Sequence, residues 1–112
     1  MRFAIPTMNG LLCTHFGHCE SFAMVDTDPE SKKVLDVKFV TPPPHAPGVL
    51  PEWIGQQGAS VVLAGGMGAR AKDMMVERGI TVILGAPEEK PEVVVQAYLE
   101  DRLVTGDNGC TH

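Results

Sequence analysis

The chain has 112 residues and a mass of 12.0 kDa, which is enough for one domain and too little for two. Hydrophobic residues make up 44% and charged residues 21%, so we expect a packed core and exclude wholesale disorder. The net charge of −5 argues against a protein whose main task is to bind nucleic-acid phosphates or an anionic membrane. No apolar run approaches the roughly 20 residues of a membrane-spanning helix, and no signal peptide opens the sequence, so we expect a cytoplasmic protein.

Three strands are predicted in the first part of the chain, over residues 2–7, 21–28 and 33–41. The third strand alternates, with Leu35, Val37 and Phe39 on one face and Asp36 and Lys38 on the other. The turn-forming composition of residues 28–31 makes the second and third strands a hairpin. A strand with one polar face suits the edge of a sheet.

The remaining elements alternate between helix and strand. The helices are predicted over 49–57, 68–78 and 91 to about 102, and the apolar runs at 61–64 and 80–84 are typical of strands buried on both faces. The order β-β-β-α-β-α-β-α predicts a three-layer α/β domain with a mixed five-stranded sheet over residues 1–103. Residues 104–112 are expected to form a flexible tail that carries cysteine and histidine.

Cysteine and histidine are concentrated in two short windows. Cys13, His15, His18 and Cys19 lie in one, and Cys110 and His112 end the chain. Thiolates and imidazoles are preferred ligands of zinc, copper and iron–sulfur clusters, so the sequence predicts that these six residues bind metal. The spacing matches no closed zinc motif, and the alternative is a solvated loop with small apolar cysteines.

A glycine-rich turn is the second candidate binding element. Gly65, Gly66 and Gly68 follow a buried strand and precede a helix, and Arg70 adds a positive charge. Such a turn exposes N–H groups at the positive end of a helix and can bind an anion. It lacks the residues of a P-loop and of a dinucleotide site, which disfavours nucleotide hydrolysis. A plain strand-to-helix turn is the alternative.

The predicted topology brings the first window and the glycine turn to one edge of the sheet. If the first strand and the strand at 61–64 are parallel neighbours, the loop at 8–19 and the glycine turn both leave carboxyl ends at a topological switch point, where ligands bind in open α/β sheets. The tail, extended at about 3.3 Å per residue, spans about 30 Å, which reaches back to this site or to a neighbouring subunit in a homo-oligomer.

These motifs together resemble one known family. The segment His15-Phe16-Gly17, the strand that follows it, the turn from Gly65 to Ala71 and the tail ending Cys110-Thr111-His112 resemble the dinitrogenase iron–molybdenum cofactor biosynthesis family, which includes NifX-type carriers and NifB-type tail domains. The resemblance implies a ribonuclease H-like fold. It also implies binding, transport or storage of iron–sulfur or molybdenum-containing clusters without catalysis, with cluster-assembly proteins as partners.

The resemblance covers only some of the candidate ligands. His15 and Gly17 fall in the family's His-Phe-Gly motif, the three glycines of the turn fall in its glycine motif, and Cys110 and His112 fall in the tail. The ligand roles of Cys13, His18 and Cys19 rest on the composition of the loop. Two alternatives stay open: a structural or interaction protein that binds zinc, and an enzyme with a Cys–His nucleophilic pair.

Overall fold

The computed structural model describes residues 1–13, 19–28, 30–44 and 48–103. The strands are β1 (Arg2–Met8), β2 (Leu11–Leu12), β3 (Ser21–Asp28), β4 (Lys33–Val40), β5 (Val61–Leu63) and β6 (Thr81–Ile83). The helices are α1 (Val49–Gln56), α2 (Ala69–Glu77) and α3 (Pro91–Leu99). The predicted α/β class is confirmed. The prediction that the last helix ends at about residue 102 is wrong, because α3 ends at Leu99. The helix stops there since Asp101 has a left-handed backbone conformation, with φ 57°.

The strands form one open mixed sheet in the order β4-β3-β1-β5-β6. β3 pairs antiparallel with both β1 and β4, which confirms the predicted hairpin. β5 is parallel to β1 and to β6, so the predicted parallel neighbours are present. The carboxyl ends of β1, β5 and β6 therefore lie at one edge of the sheet, and so does the start of β3, where Ser21 is opposite Thr7.

The prediction of five strands is wrong by one, because β2 extends the sheet beside the end of β1. Thr7 is opposite Leu12 and Met8 is opposite Leu11, which leaves a two-residue turn. That turn is Asn9-Gly10, with φ of 56° and 79°. Positive φ at both positions is the geometry of a type I′ hairpin, for which Asn-Gly is a preferred sequence.

Helices cover both faces of the sheet, so the domain has the predicted three layers. On one face α1 and α2 contribute Leu50, Ile54 and Met75 to a core with Phe22 and Val62 of the sheet. On the other face α3 contributes Val94, Val95 and Leu99 to a core with residues that include Phe3, Ile5, Leu12 and Leu63. Within the described ranges, no helix is long and apolar enough to cross a membrane. The expected cytoplasmic location and the ribonuclease H-like designation stay predictions.

Two predicted burial patterns differ from the structure. In β4, Val34 and Val37 pack on the α3 side, whereas Leu35 and Phe39 are 66% and 55% exposed. A β-bulge accounts for Leu35, since Asp26 pairs with Asp36 but Thr27 pairs with Val34, which puts Val34 rather than Leu35 on the face of Val37. Phe39 shares the face of Val37 as predicted, but it is exposed. β6 is an edge strand whose residues are exposed or half-buried, so the prediction that it is buried on both faces is wrong.

A candidate cluster-binding edge

The candidate site lies at the carboxyl ends of β1 and β5. The predicted ligands Cys13 and Cys19 are both described and both carry thiols. His15, His18, Cys110 and His112 lie outside the described residues, and so does the whole segment at 104–112 that was predicted as a tail. Of the predicted site, the structure therefore places two cysteines and the glycine turn.

Two hydrogen bonds attach the ends of the cysteine loop to adjacent residues of β1. The N–H of Cys13 donates to the carbonyl of Pro6 at 2.7 Å, and the N–H of Glu20 donates to the carbonyl of Thr7 at 3.0 Å. Successive carbonyls of a strand point to opposite sides, where β1 has β2 and β3 as its neighbours. The two cysteines are thus held on either side of the end of one buried strand.

Further hydrogen bonds fix this edge. The hydroxyl of Thr7, which is fully buried, lies 2.7 Å from the hydroxyl of Ser21 and donates to the carbonyl of Ser21 at 3.0 Å. The carboxylate of Glu20 accepts a hydrogen bond from the N–H of Asn9 at 2.8 Å, which joins the β1–β2 turn to the residue after Cys19. The N–H of Leu12 donates to the carbonyl of Glu89 at 2.9 Å. The cysteine loop therefore begins and ends on an ordered frame.

The two thiols differ in burial. Cys13 is 7% exposed, whereas Cys19 is half-buried and packs against the core that includes Phe22 and Met67. Burial raises the pKa of the Cys19 thiol to about 11, and repulsion by a charge at Cys13 adds to the shift. The structure thus places two thiols, six positions apart in the sequence, at the same end of β1.

The glycine turn occupies the neighbouring end of β5. Residues from Ala64 to Met67 are buried, and the carbonyls of Ala64 and Gly65 accept hydrogen bonds from Ala86 and Gly85 of the next turn at 3.1 and 2.9 Å. Gly66 lies in this buried stretch. The turn is thereby attached to the segment that follows β6, and it leads directly into α2.

Among the described residues, no side chain caps the start of α2. Gly68 is its N-cap residue, in an extended conformation with φ −66° and ψ 151°, and no acidic residue lies in the first turn. A Cβ atom at Gly68 would meet no described atom within 4 Å, so the described part of the chain leaves room for a side chain there. Arg70 is exposed in the first turn. Uncapped N–H groups together with a guanidinium favour an anionic ligand.

Sequence reasoning missed the feature that positions Cys13. Strand β2 runs antiparallel beside β1 and places Cys13 next to Pro6. The Asn9-Gly10 dipeptide is the sequence feature that indicates this hairpin. Among the described ranges, no three His, Cys, Asp or Glu side chains gather closely enough to hold a metal ion. Of the predicted donor set, the two thiols of Cys13 and Cys19 are described, and the sequence between them carries His15 and His18.

The chain is similar over most of its length to proteins of known structure. Residues 1–101 match the family model described as dinitrogenase iron-molybdenum cofactor. The crystal structure of the protein PH0822 is 31% identical and superposes with a TM-score of 0.85 over 94% of each chain. The apo form of the orange protein from Desulfovibrio gigas is 21% identical, with a TM-score of 0.75 over 96% of this chain and 93% of that one, and shows the same fold. No curated protein matches the chain. The chain belongs to the dinitrogenase iron-molybdenum cofactor family.

Proposed function

We propose that the protein is a non-catalytic carrier or storage protein for an iron–sulfur or molybdenum-containing cluster, which it binds at the edge formed by the ends of β1 and β5. The observation that carries the proposal is the pair Cys13 and Cys19 at one end of β1, where Cys13 donates to the carbonyl of Pro6 and Glu20, which follows Cys19, donates to the carbonyl of Thr7. Thiolates are the ligands that iron–sulfur clusters use. Membership of the family supports cluster handling as the task.

The neighbouring groups suit a negatively charged cluster. Cys13 and Cys19 supply two thiolates, and His15, His18, Cys110 and His112 are the candidates that complete the donor set. Gly65, Gly66 and Gly68 let the backbone approach the cargo closely, and the open helix end with Arg70 offsets its negative charge. A site at the edge of the sheet suits a carrier, because the cargo has to leave for an acceptor, for which we propose cluster-assembly proteins.

The test is anaerobic reconstitution with iron and sulfide, followed by analysis of bound iron, sulfide, molybdenum and zinc and by visible absorption. The wild-type protein is expected to bind iron and sulfide with charge-transfer absorption. Cys13→Ala and Cys19→Ala are each expected to lose most of it. Glu30→Gln, an exposed residue of the β3–β4 turn at the other end of β3, leaves the site unchanged and serves as the control.

Three outcomes would decide against the cluster. Wild-type protein without bound iron, or iron bound equally by both cysteine variants, would contradict the proposed site. Stoichiometric zinc in protein purified from cells grown without added zinc, with no iron uptake, would favour the zinc-binding alternative. Circular dichroism of each variant shows whether the fold is kept, so that lost binding is not mistaken for unfolding.

A further inference from the structure

Strand β4 is an open edge of the sheet that exposes apolar side chains. It pairs with β3 on one side, and the strand order places no described strand on its other side. Leu35 and Phe39 are 66% and 55% exposed there, the two most exposed large apolar side chains of the described residues. An open edge offers a row of unpaired N–H and C=O groups to another strand. The opposite edge, β6, is only three residues long and offers much less.

The sequence of β4 is complementary to itself. When two β4 strands run antiparallel about a two-fold axis at Val37, Asp36 of each copy is opposite Lys38 of the other. Asp36 and Lys38 are 51% and 71% exposed and already approach each other within one chain, with Nζ and Oδ2 3.9 Å apart. Opposite charges across two strands stabilise the pairing.

Neighbouring registers lack this match. An axis at Lys38 sets two lysines opposite each other, and an axis at Asp36 does the same with two carboxylates, which is destabilising. The bulge near Leu35 bends the start of β4, but pairing with β3 is regular from Asp36 to Val40, so the strand can be extended there. The axis at Val37 is therefore the register that neutralises both charged residues.

We propose that two copies of this chain associate through their β4 strands into a dimer with one continuous sheet. A single pair of strands with a few flanking side chains lies at the small end of specific interfaces, so the association is weak and depends on concentration. A two-fold axis makes the contact self-limiting, since each copy uses the same patch. This surface is distinct from the described residues of the proposed cluster site, which lie at the carboxyl ends of β1 and β5.

Sedimentation velocity over a range of concentrations tests the proposal with exposed charge variants. Metal chelator and reductant are present, so that neither a bridging cluster nor a disulfide contributes. Asp36→Lys and Lys38→Asp each turn both cross-strand pairs into like charges, and each is expected to weaken the wild-type dimer by about tenfold or more. The swap Asp36→Lys/Lys38→Asp restores opposite charges and is expected to recover the wild-type association.

Mixing the two single variants gives the most specific test of the proposed register. Equal amounts of Asp36→Lys and Lys38→Asp are expected to form a mixed dimer, because the first offers two lysines and the second two carboxylates in the same register. A wild-type protein that sediments as a monomer at every concentration would overturn the proposal. So would a dimer that both single charge reversals leave unchanged, since its contact would then lie elsewhere.

Discussion

Cys13 and Cys19 are held at the same end of β1 from opposite sides, and they are close enough that a charge on Cys13 affects the titration of Cys19. Burial acts in the same direction and is the larger cause. At neutral pH the Cys19 thiol therefore keeps its proton. Since the thiolate is the ligand, loading of a metal at this residue releases a proton.

The raised pKa predicts slow alkylation of Cys19. A shift of its pKa from the ordinary value of 9.0 to about 11 lowers the thiolate fraction at pH 8 about 100-fold. A more basic thiolate is also more nucleophilic, so we expect a rate at least about tenfold below that of the unfolded protein. Mass spectrometry of iodoacetamide-treated protein measures the rate at each cysteine, with the same protein in denaturant as reference.

The pH dependence of the alkylation rate at Cys19 tests whether the raised pKa causes the slow alkylation. The rate at Cys19 is expected to keep rising well above pH 9, and a plateau near pH 9 would contradict the raised pKa. In Cys13→Ala the rate at Cys19 is expected to increase only modestly, because the burial that dominates the shift persists.

The pair Arg2–Asp26 predicts a loss of stability in acid. The guanidinium of Arg2 donates to Asp26 at 2.7 Å, and this hydrogen bond lowers the pKa of the carboxyl below its ordinary value of 3.8. The contribution is fully present above the carboxyl pKa of the unfolded chain and is lost as pH falls through that of the folded one. Both side chains are about one-third exposed, so Asp26→Asn is expected to cost about 0.5–1 kcal/mol at pH 7.

Urea unfolding at pH 7 and below pH 3.5 measures this effect. The difference in unfolding free energy between wild type and Asp26→Asn is expected to shrink as the carboxyl of the wild type is protonated. Glu30→Gln, an exposed carboxylate in the β3–β4 turn, is the control and is expected to change stability little at either pH. An equal cost of Asp26→Asn at both pH values would argue against the ion pair.

The long elements could be predicted from sequence because their patterns are local. Residues 21–28 contain an apolar run from Phe22 to Val25 and are followed by a turn, and the apolar run near Val62 is bounded by turn residues, so both strands can be predicted within a residue. The faces of β4 could not be predicted, because a bulge shifts the period and depends on how β3 pairs. Strand β2 was missed since two residues carry no periodicity, although Asn9-Gly10 marks its turn.

The position of the candidate site in the fold could be predicted, but the arrangement of its cysteines could not. The edge itself follows from the parallel pairing of β1 with β5, which the alternation of strands and helices already indicates. That Cys13 and Cys19 approach each other depends on two backbone hydrogen bonds to Pro6 and Thr7, which no spacing rule contains. The ligand roles of all six candidates, including those of Cys13 and Cys19, stay predictions.

The open end of α2 predicts opposite effects of one substitution on stability and on binding. Gly68 has the extended conformation of an N-cap residue, and a side chain there meets open space. Gly68→Ser is expected to stabilise the fold by about 0.5–1 kcal/mol, since serine caps the helix and restricts the unfolded chain. The serine hydroxyl would occupy N–H groups that the proposed cluster uses, so cluster loading is expected to fall.

Gly68→Ala separates the effect of the helix cap from the effect of restricting the unfolded chain, because alanine adds a Cβ atom but no capping hydroxyl. Thermal unfolding and bound iron after reconstitution are measured for both variants. If Gly68→Ser is stabilised but loads iron as well as the wild type does, the end of α2 is not part of the binding site.

The Asn9-Gly10 turn predicts that backbone strain at a residue that is not a proposed ligand disturbs the position of Cys13. Gly10 has φ +79°, and a Cβ atom there would meet no described atom within 4 Å, so Gly10→Ala strains only the backbone. We expect a loss of about 1–2 kcal/mol of stability, together with reduced cluster loading, because β2 carries Cys13 to Pro6.

Gly58→Ala is the matched control, since Gly58 also has φ +79° and an open environment but follows α1, away from β2. The two variants are expected to lose similar stability in urea unfolding, while only Gly10→Ala loses bound iron. Because the loss of stability is matched, a difference in loading reports the placement of Cys13 rather than general unfolding. If both variants bind the same amount of iron, the position that β2 gives to Cys13 is not needed for iron binding.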